Sequence, residues 1–392
     1  MPAIPADPWT MRSRSVTSLL RRLTLKLAVM AAAGLAAATG PVSSAQAQGA
    51  PAGHLRVASA FDPQTMDPHA LALLYHSRVV HQVYESLVGR DERFQTEPAL
   101  ALSWQMATPT TWRFRLRTGV SFHDGTPFTA DDAVFSLERA LAPTSQRSFQ
   151  LKGISAVRKL DTHLIEVQLE APDAVLPDKL QFVAIMSKAW CEKHGLQKPQ
   201  DFNGKQETFA VRNANGTGPL KLERYEPDVR TVLRRNAAWW GWADRRSGNL
   251  DSVSFITIKS DATRLAALSS GEVDVVMDPP YQDIARLKAD SRITVLQTGD
   301  IGQQYLAFDQ ARDELQDSDV KGRNPFKDIR VRRALYHAID IETIRTKLMN
   351  GQSVPTGSYV PAPIANFNDP ELEKRLPFDL PTARRLMAEA GY

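Results

Sequence analysis

The apolar positions of this chain change period several times, and each change predicts an element. TWRFRLRTGVSF, residues 111–122, alternates Trp112, Phe114 and Leu116 with Arg113, Arg115 and Arg117. That period of two predicts a strand with one buried face. Asp124-Gly125 then predicts a tight turn, and Thr129 an N-cap whose hydroxyl accepts from the amide of Asp132. Asp131 and Asp132 fall in the first turn of a helix whose apolar stripe is Val134, Leu137 and Leu141. Upstream, GHLRVASAF reads as a first strand ending in the loop DPQTMDPH. Leu74, Ser77, Val80, Tyr84 and Leu87 share one helical face, Gly89 is placed to end that helix, and Tyr75 and Tyr84 are expected in the core.

Further on, Gly216-Thr217-Gly218-Pro219 predicts a chain reversal, and LKLERYE and TVLRRN the two arms of a hairpin. SFITIKSDATRLAALSSGEVDVV predicts strand, helix and strand in a parallel βαβ unit. Its carboxyl end, at MDPPYQD, is expected to face a cleft. Val331, Leu335, Ala338 and Ile339 predict a helix with Arg330, Arg332 and Arg333 toward solvent.

The first 47 residues differ from the rest. Arg12, Arg14, Arg21, Arg22 and Lys26 precede the apolar run Leu27 to Ala38, and Ala45-Gln46-Ala47 supplies small residues for cleavage, which together predict a secretory signal peptide. Met11 reads as a better start than Met1, and Sec export as a better fit than twin-arginine export. The leader holds five of the 48 Lys+Arg and one of the 44 Asp+Glu, leaving 43 basic and 43 acidic residues. No basic field remains to attract nucleic acid. One cysteine, Cys191, cannot form an internal disulfide.

His123, Asp124, Asp131 and Asp132 crowd into ten positions, the density expected around a metal or a base. Each already has a task as turn, cap or dipole partner, so no catalytic or metal role is assigned to them. Cys191 and His194, three apart, are the only arrangement resembling a nucleophile and base, and a secreted hydrolase is the minor reading. His69, His76 and His81 raise a metal carrier, but His76 and His81 lie about 140° apart on a helix.

ALSWQMATPTTWRFRLRTGVSFHDGTPFTADDAVFSLERA resembles the signature of the extracellular solute-binding proteins of the dipeptide, oligopeptide and nickel class that serve ABC importers. GTGPLKLERYEPDVRTVLRRNAAWWG, SFITIKSDATRLAALSSGEVDVV and FKDIRVRRALYHAIDIETIRTKLMNGQSVP resemble three further family motifs in the same order. The resemblance implies an α/β, two-lobed periplasmic binding protein of type II, with mixed sheets flanked by helices and the extra subdomain of peptide binders. It implies a signal peptide over 1–47, lobe I over 48–95 and 216–299, the extra subdomain over 96–215 and lobe II over 300–392. Because LPFDLPTARRLMAEAGY looks like a helix that usually precedes more of lobe II, that lobe is expected to be incomplete and the chain truncated.

The function implied is the periplasmic capture of a peptide or similar small solute in an inter-lobe cleft and its delivery to permease subunits. No cofactor is implied, the protein is expected to be monomeric, and a nickel or metal-chelate carrier of the same fold is the alternative. Candidate ligand contacts come from loops at strand ends: Thr65, Met66, Asp67 and His69 after the first strand, Trp239 and Trp240 after the hairpin, and Tyr281 after VDVVMDPP. Gln303, Gln304 and Tyr305 lie on LQTGDIGQQYLAFD, the expected inter-lobe crossing.

Overall fold

The first strand among the described residues, β1 (His54–Ser59), is an inner strand of its sheet. A computed structural model describes residues 53–243, 248–299, 302–360, 364 and 368–392; the expected signal peptide lies outside them. After β1 come α1 (Leu74–Val80), β2 (Val88–Arg90), β3 (Thr96–Pro98), β4 (Ala101–Thr108), β5 (Thr111–Leu116), α2 (Ala130–Ala140), β6 (Ile154–Asp161) and β7 (Leu164–Leu169). These are followed by α3 (Leu176–Leu180), α4 (Lys188–Lys193), β8 (Leu220–Glu226), β9 (Arg230–Arg235), β10 (Ser252–Thr257), α5 (Asp261–Ser270) and β11 (Val275–Val276). Helices α6 (Ile284–Ala289), α7 (Ile329–Ala338) and α8 (Leu380–Glu389) complete the labelled elements.

Two larger sheets organise the described chain. One has the order β11-β1-β10-β9-β8, with β1 parallel to both β10 and β11, and β9 antiparallel to β10 and β8. The expected βαβ unit is therefore present, with β1 inserted between its two strands. Of VDVVM only Val275 and Val276 form strand, paired with Val57 and Ala58. The second sheet, β4-β5-β7-β6, is antiparallel throughout. On β5, Trp112, Phe114 and Leu116 are buried, and outward-facing Arg113 meets its cross-strand partner Glu166 at 3.0 Å.

Each sheet has its own core. Phe114, Phe128, Leu137 and Ile165 belong to the core beneath the antiparallel sheet, which α2 closes with Ala133, Leu137 and Ala140. Met66, Val83, Tyr84, Met186 and Leu233 belong to the core beneath the mixed sheet. Thr129 caps α2 by accepting from the amide of Asp131, one residue earlier than expected, while the Asp132 carboxylate accepts from Thr129 N at 2.9 Å. Ser260 caps α5, and Gly271, at φ 76°, ends it.

Helix α1 stops about two and a half turns short of Gly89. The carbonyls of Gln82, Val83 and Glu85 accept from Leu220, Gly218 and Ile185, so tertiary partners take bonds that a longer helix would use. Gly89 instead lies in β2. In the C-terminal part, α7 buries Val331 and Ala334 and packs near α8, joined by Asp379 N to the His337 carbonyl at 2.9 Å. Residues 302–309 carry no strand.

Candidate functional site

The carboxyl ends of three parallel strands meet in one depression. Ser59 of β1, Thr257 of β10 and Met277 just after β11 line it, with Phe61, Tyr75 and Arg78 around them. Open α/β sheets bind ligands at this edge because neighbouring strand ends diverge into loops there, leaving a crevice. Phe61, 59% exposed, stacks on Tyr75 with ring centroids 5.1 Å apart and planes 22° apart. Gln64 Nε2 donates to the Tyr75 hydroxyl at 2.8 Å, which fixes the lower ring. Arg78 grips Asp278 with both terminal nitrogens, and Asp278 sits at φ 51°, a conformation costly for a non-glycine residue. Tyr75, expected in the core, is only half-buried; it supports the platform.

The loop feeding this platform is anchored from below. Asp62 accepts from the Tyr225 hydroxyl at 2.5 Å and from the amides of Gln64 and Asp228 at 2.6 and 2.9 Å. Asp67 and Arg139 form a fully buried ion pair with contacts of 2.9 and 2.6 Å. Arg139 donates its remaining N–H groups to His69 Nδ1 at 3.0 Å and to the carbonyls of Leu196 and Lys198. All five guanidinium donors are thus used. Because Arg139 can only donate, His69 Nδ1 accepts, and Nε2–H donates to the Ala184 carbonyl at 2.8 Å. Burial opposes the charge on Asp67, but Arg139 outweighs it and holds the carboxyl at about 2. Burial, with Arg139 beside it, pushes His69 down to about 3.

The four candidates after β1 are therefore interior. Thr65 donates its hydroxyl to Gln200 Oε1 at 2.7 Å, Met66 packs in the mixed-sheet core, and Asp67 and His69 are saturated by Arg139 and its neighbours. Each is fully buried in this structure. The strand ends where its side chains still alternate, and the polar loop residues turn inward because α2 offers them a buried cation. Trp239 and Trp240 are partly buried and donate their indole N–H groups to the two oxygens of Glu85, at 3.1 and 3.0 Å. Arg117 lies 3.7 Å from the centroid of the Trp240 ring.

Tyr281 is exposed in a single turn after β11. Tyr305, 61% exposed, meets Tyr359 edge-on at 5.3 Å; Gln303 bonds the Tyr359 carbonyl, and Gln304 is exposed. None of the ten candidates lines the depression. Phe61, Tyr75 and Arg78, which do, were not singled out as contacts; Phe61 was legible as the first large residue past a strand end.

The HDG segment is a clamp between the two sheets. His123 N donates to the Gly216 carbonyl at 2.8 Å, and His123 Nε2 faces the Gly218 carbonyl at 3.0 Å. Asp124 and Asn215 exchange two bonds, at 3.1 and 2.9 Å. Gly216 and Gly218 are required by proximity: a β-carbon at Gly216 would lie 2.0 Å from the Val83 oxygen. Cys191 is in the core and burial pushes its thiol up to about 12, away from the thiolate a nucleophile needs. His194 stacks on Phe209 at 4.1 Å. Both ring nitrogens of His69 are engaged, and among the described residues no three His, Cys, Asp or Glu side chains gather as metal ligands.

A mixed sheet with a depression at its parallel strand ends, clamped to an antiparallel subdomain, defines the α/β body of a two-lobed periplasmic binding protein of type II. The structure is similar to the ABC transporter-associated periplasmic binding protein DppA from Helicobacter pylori in complex with peptide STSA, with a TM-score of 0.71 and 26% identity, over 87% of this chain and 66% of that one. The profile of bacterial extracellular solute-binding proteins, family 5 Middle, matches residues 95–392, and the chain belongs to that family. It is 30% identical over 336 residues to heme-binding protein A of Haemophilus influenzae, covering 79% of this chain and 57% of the relative. It is 27% identical over 319 residues to the dipeptide-binding protein of Escherichia coli, covering 75% and 55%. The chain thus spans little more than half the length of these curated relatives.

Proposed function

We propose that this protein is the exported substrate-binding component of an ABC importer, holding a peptide or similar small solute and passing it to a membrane permease. The observation that carries the reading is the convergence of Ser59, Thr257 and Met277, from three parallel strands, on one aromatic-rimmed depression. The depression by itself is shallow, about 10 Å³, so most of a solute's surface has to be covered from the chain beyond β11. The exposed Tyr281 and the exposed Gln304 and Tyr305 are the groups proposed to meet the solute from the chain beyond β11. A solute touching both regions binds a closed arrangement better than an open one, and that difference in affinity shifts the equilibrium between them. The names of these relatives, a heme-binding and a dipeptide-binding protein, support a small organic solute without choosing between them. The N-terminal leader supports delivery to the periplasm.

The test is calorimetric titration of the purified chain with a panel of dipeptides, tripeptides, glutathione, iron protoporphyrin and nickel chelates. Saturable binding of one class at one solute per chain is expected. If nothing in the panel binds and small-angle scattering stays unchanged throughout, solute capture is the wrong function for this chain.

A further inference from the structure

The depression has two halves of different chemistry. On one side Phe61 offers an open ring face, backed by Tyr75, whose hydroxyl Gln64 holds. Gln64 adopts φ 68°, so the loop accepts an unfavourable backbone to keep this stack in place. An exposed aromatic ring that the fold takes trouble to pre-organise is a binding element rather than incidental surface. On the other side stands Arg78, its side chain 26% exposed. Asp278 occupies one N–H on each terminal nitrogen, leaving the other three guanidinium donors without acceptors among the described residues. Asp62, the nearby carboxylate, is already occupied by Tyr225, Gln64 and Asp228, so the unused capacity here is for accepting an anion.

We infer that this depression selects solutes carrying a flat apolar group next to a carboxylate, the flat group seated on Phe61 and the carboxylate on Arg78; the inference rests on the solute-capture reading above. Two sources share that chemistry, a peptide with an aromatic side chain and a carboxylated tetrapyrrole. Asp278 acts here as a positioning residue: it grips the guanidinium through Nη1 and Nη2 and leaves Nε–H and one N–H on each terminal nitrogen available.

The test is calorimetry on the purified chain and on Phe61→Ala and Arg78→Gln, using Ala-Phe, Ala-Ala, the C-terminal amide of Ala-Phe, and iron protoporphyrin. Both residues are partly exposed at the rim, and unchanged far-UV circular dichroism checks that the variants fold. Wild type is expected to bind Ala-Phe or the porphyrin about tenfold more tightly than Ala-Ala, the scale of one aromatic contact. Phe61→Ala should abolish that preference, and Arg78→Gln should abolish the preference for acid over amide. Tight porphyrin binding with weak Ala-Phe assigns the tetrapyrrole source, and the reverse assigns the peptide. If wild type binds these solutes and both variants keep its preferences, the inference falls while solute capture stands. If wild type binds none of them but binds glutathione or a nickel chelate, the inference again falls alone, and silence across every solute removes both.

Discussion

Arg139 grips both carboxylate oxygens of Asp67, at 2.9 and 2.6 Å, with neither side chain exposed to solvent. The pair joins the loop after β1 to helix α2 of the antiparallel subdomain, two parts of the chain separated by 72 residues. It is one tie between these parts of the chain, and the clamp at His123 and Asp124 is another. Removing one partner leaves a buried charge without compensation. Asp67→Leu or Arg139→Met alone should therefore cost about 3–5 kcal/mol, and the double variant should cost less than either. Urea denaturation of the three variants checks this. A double variant as unstable as the sum of the singles would mean that the pair is not the stabilising unit.

Acid should weaken the fold through its buried histidines. Burial pushes His69 and His76 down to about 3 from an ordinary 6.5, so both are neutral in the folded chain. Between those values the unfolded chain takes up protons that the folded chain refuses, so stability is complete above about pH 6.5 and falls as pH drops toward 3. The slope is about 1.4 kcal/mol per pH unit for each histidine. Asp67 adds a second loss lower down, as pH falls from its ordinary 3.8 through about 2. Neither ring nitrogen of fully buried His76 has a partner among the described residues; because burial also holds His81 and His123 down to about 4, His76→Leu should remove about a quarter of the histidine slope and raise stability near pH 5. Urea midpoints at pH 7.5 and 5 measure both effects; a slope unchanged in His76→Leu would contradict them.

Gly216→Ala should destabilise by about 1–3 kcal/mol or more, because its new methyl meets backbone that cannot yield. Gly248→Ala is the control, since nothing among the described residues lies within 4 Å of its added carbon. Thermal denaturation of the two should separate them clearly, and equal midpoints would show that the GTGP segment can shift to make room.

Trp239 and Trp240 provide a check on the original expectation that they contact the solute. With both indoles bonded to Glu85, Glu85→Ala should redden tryptophan emission and cost about 1–3 kcal/mol while leaving solute affinity within about twofold. A large loss of affinity with stability intact would return the pair to the binding surface.

How far the sequence revealed this depended on the range of the interaction. The β5 alternation, the hairpin of β8 and β9, the α2 cap and the Gly271 terminator are decided within a few residues, and each was legible. Helix α1 ended early because carbonyls of residues 82–85 are claimed by amides of residues 185, 218 and 220, which no local pattern announces. The burial of the loop after β1 was hidden for the same reason. Asp67 and His69 look like exposed loop polars until Arg139 arrives from another element, whereas Tyr75 looks apolar enough for the core until Phe61 folds over it.

The position of β1 between β10 and β11 bears on how the molecule is made. Its side-chain partner Ser252 lies 198 residues after His54, so a ribosome must add that much chain before the sheet can close. At ordinary elongation rates that interval is roughly 10 to 40 seconds. Throughout it β1 has no lasting neighbour, so this sheet cannot seal until most of the chain has been made.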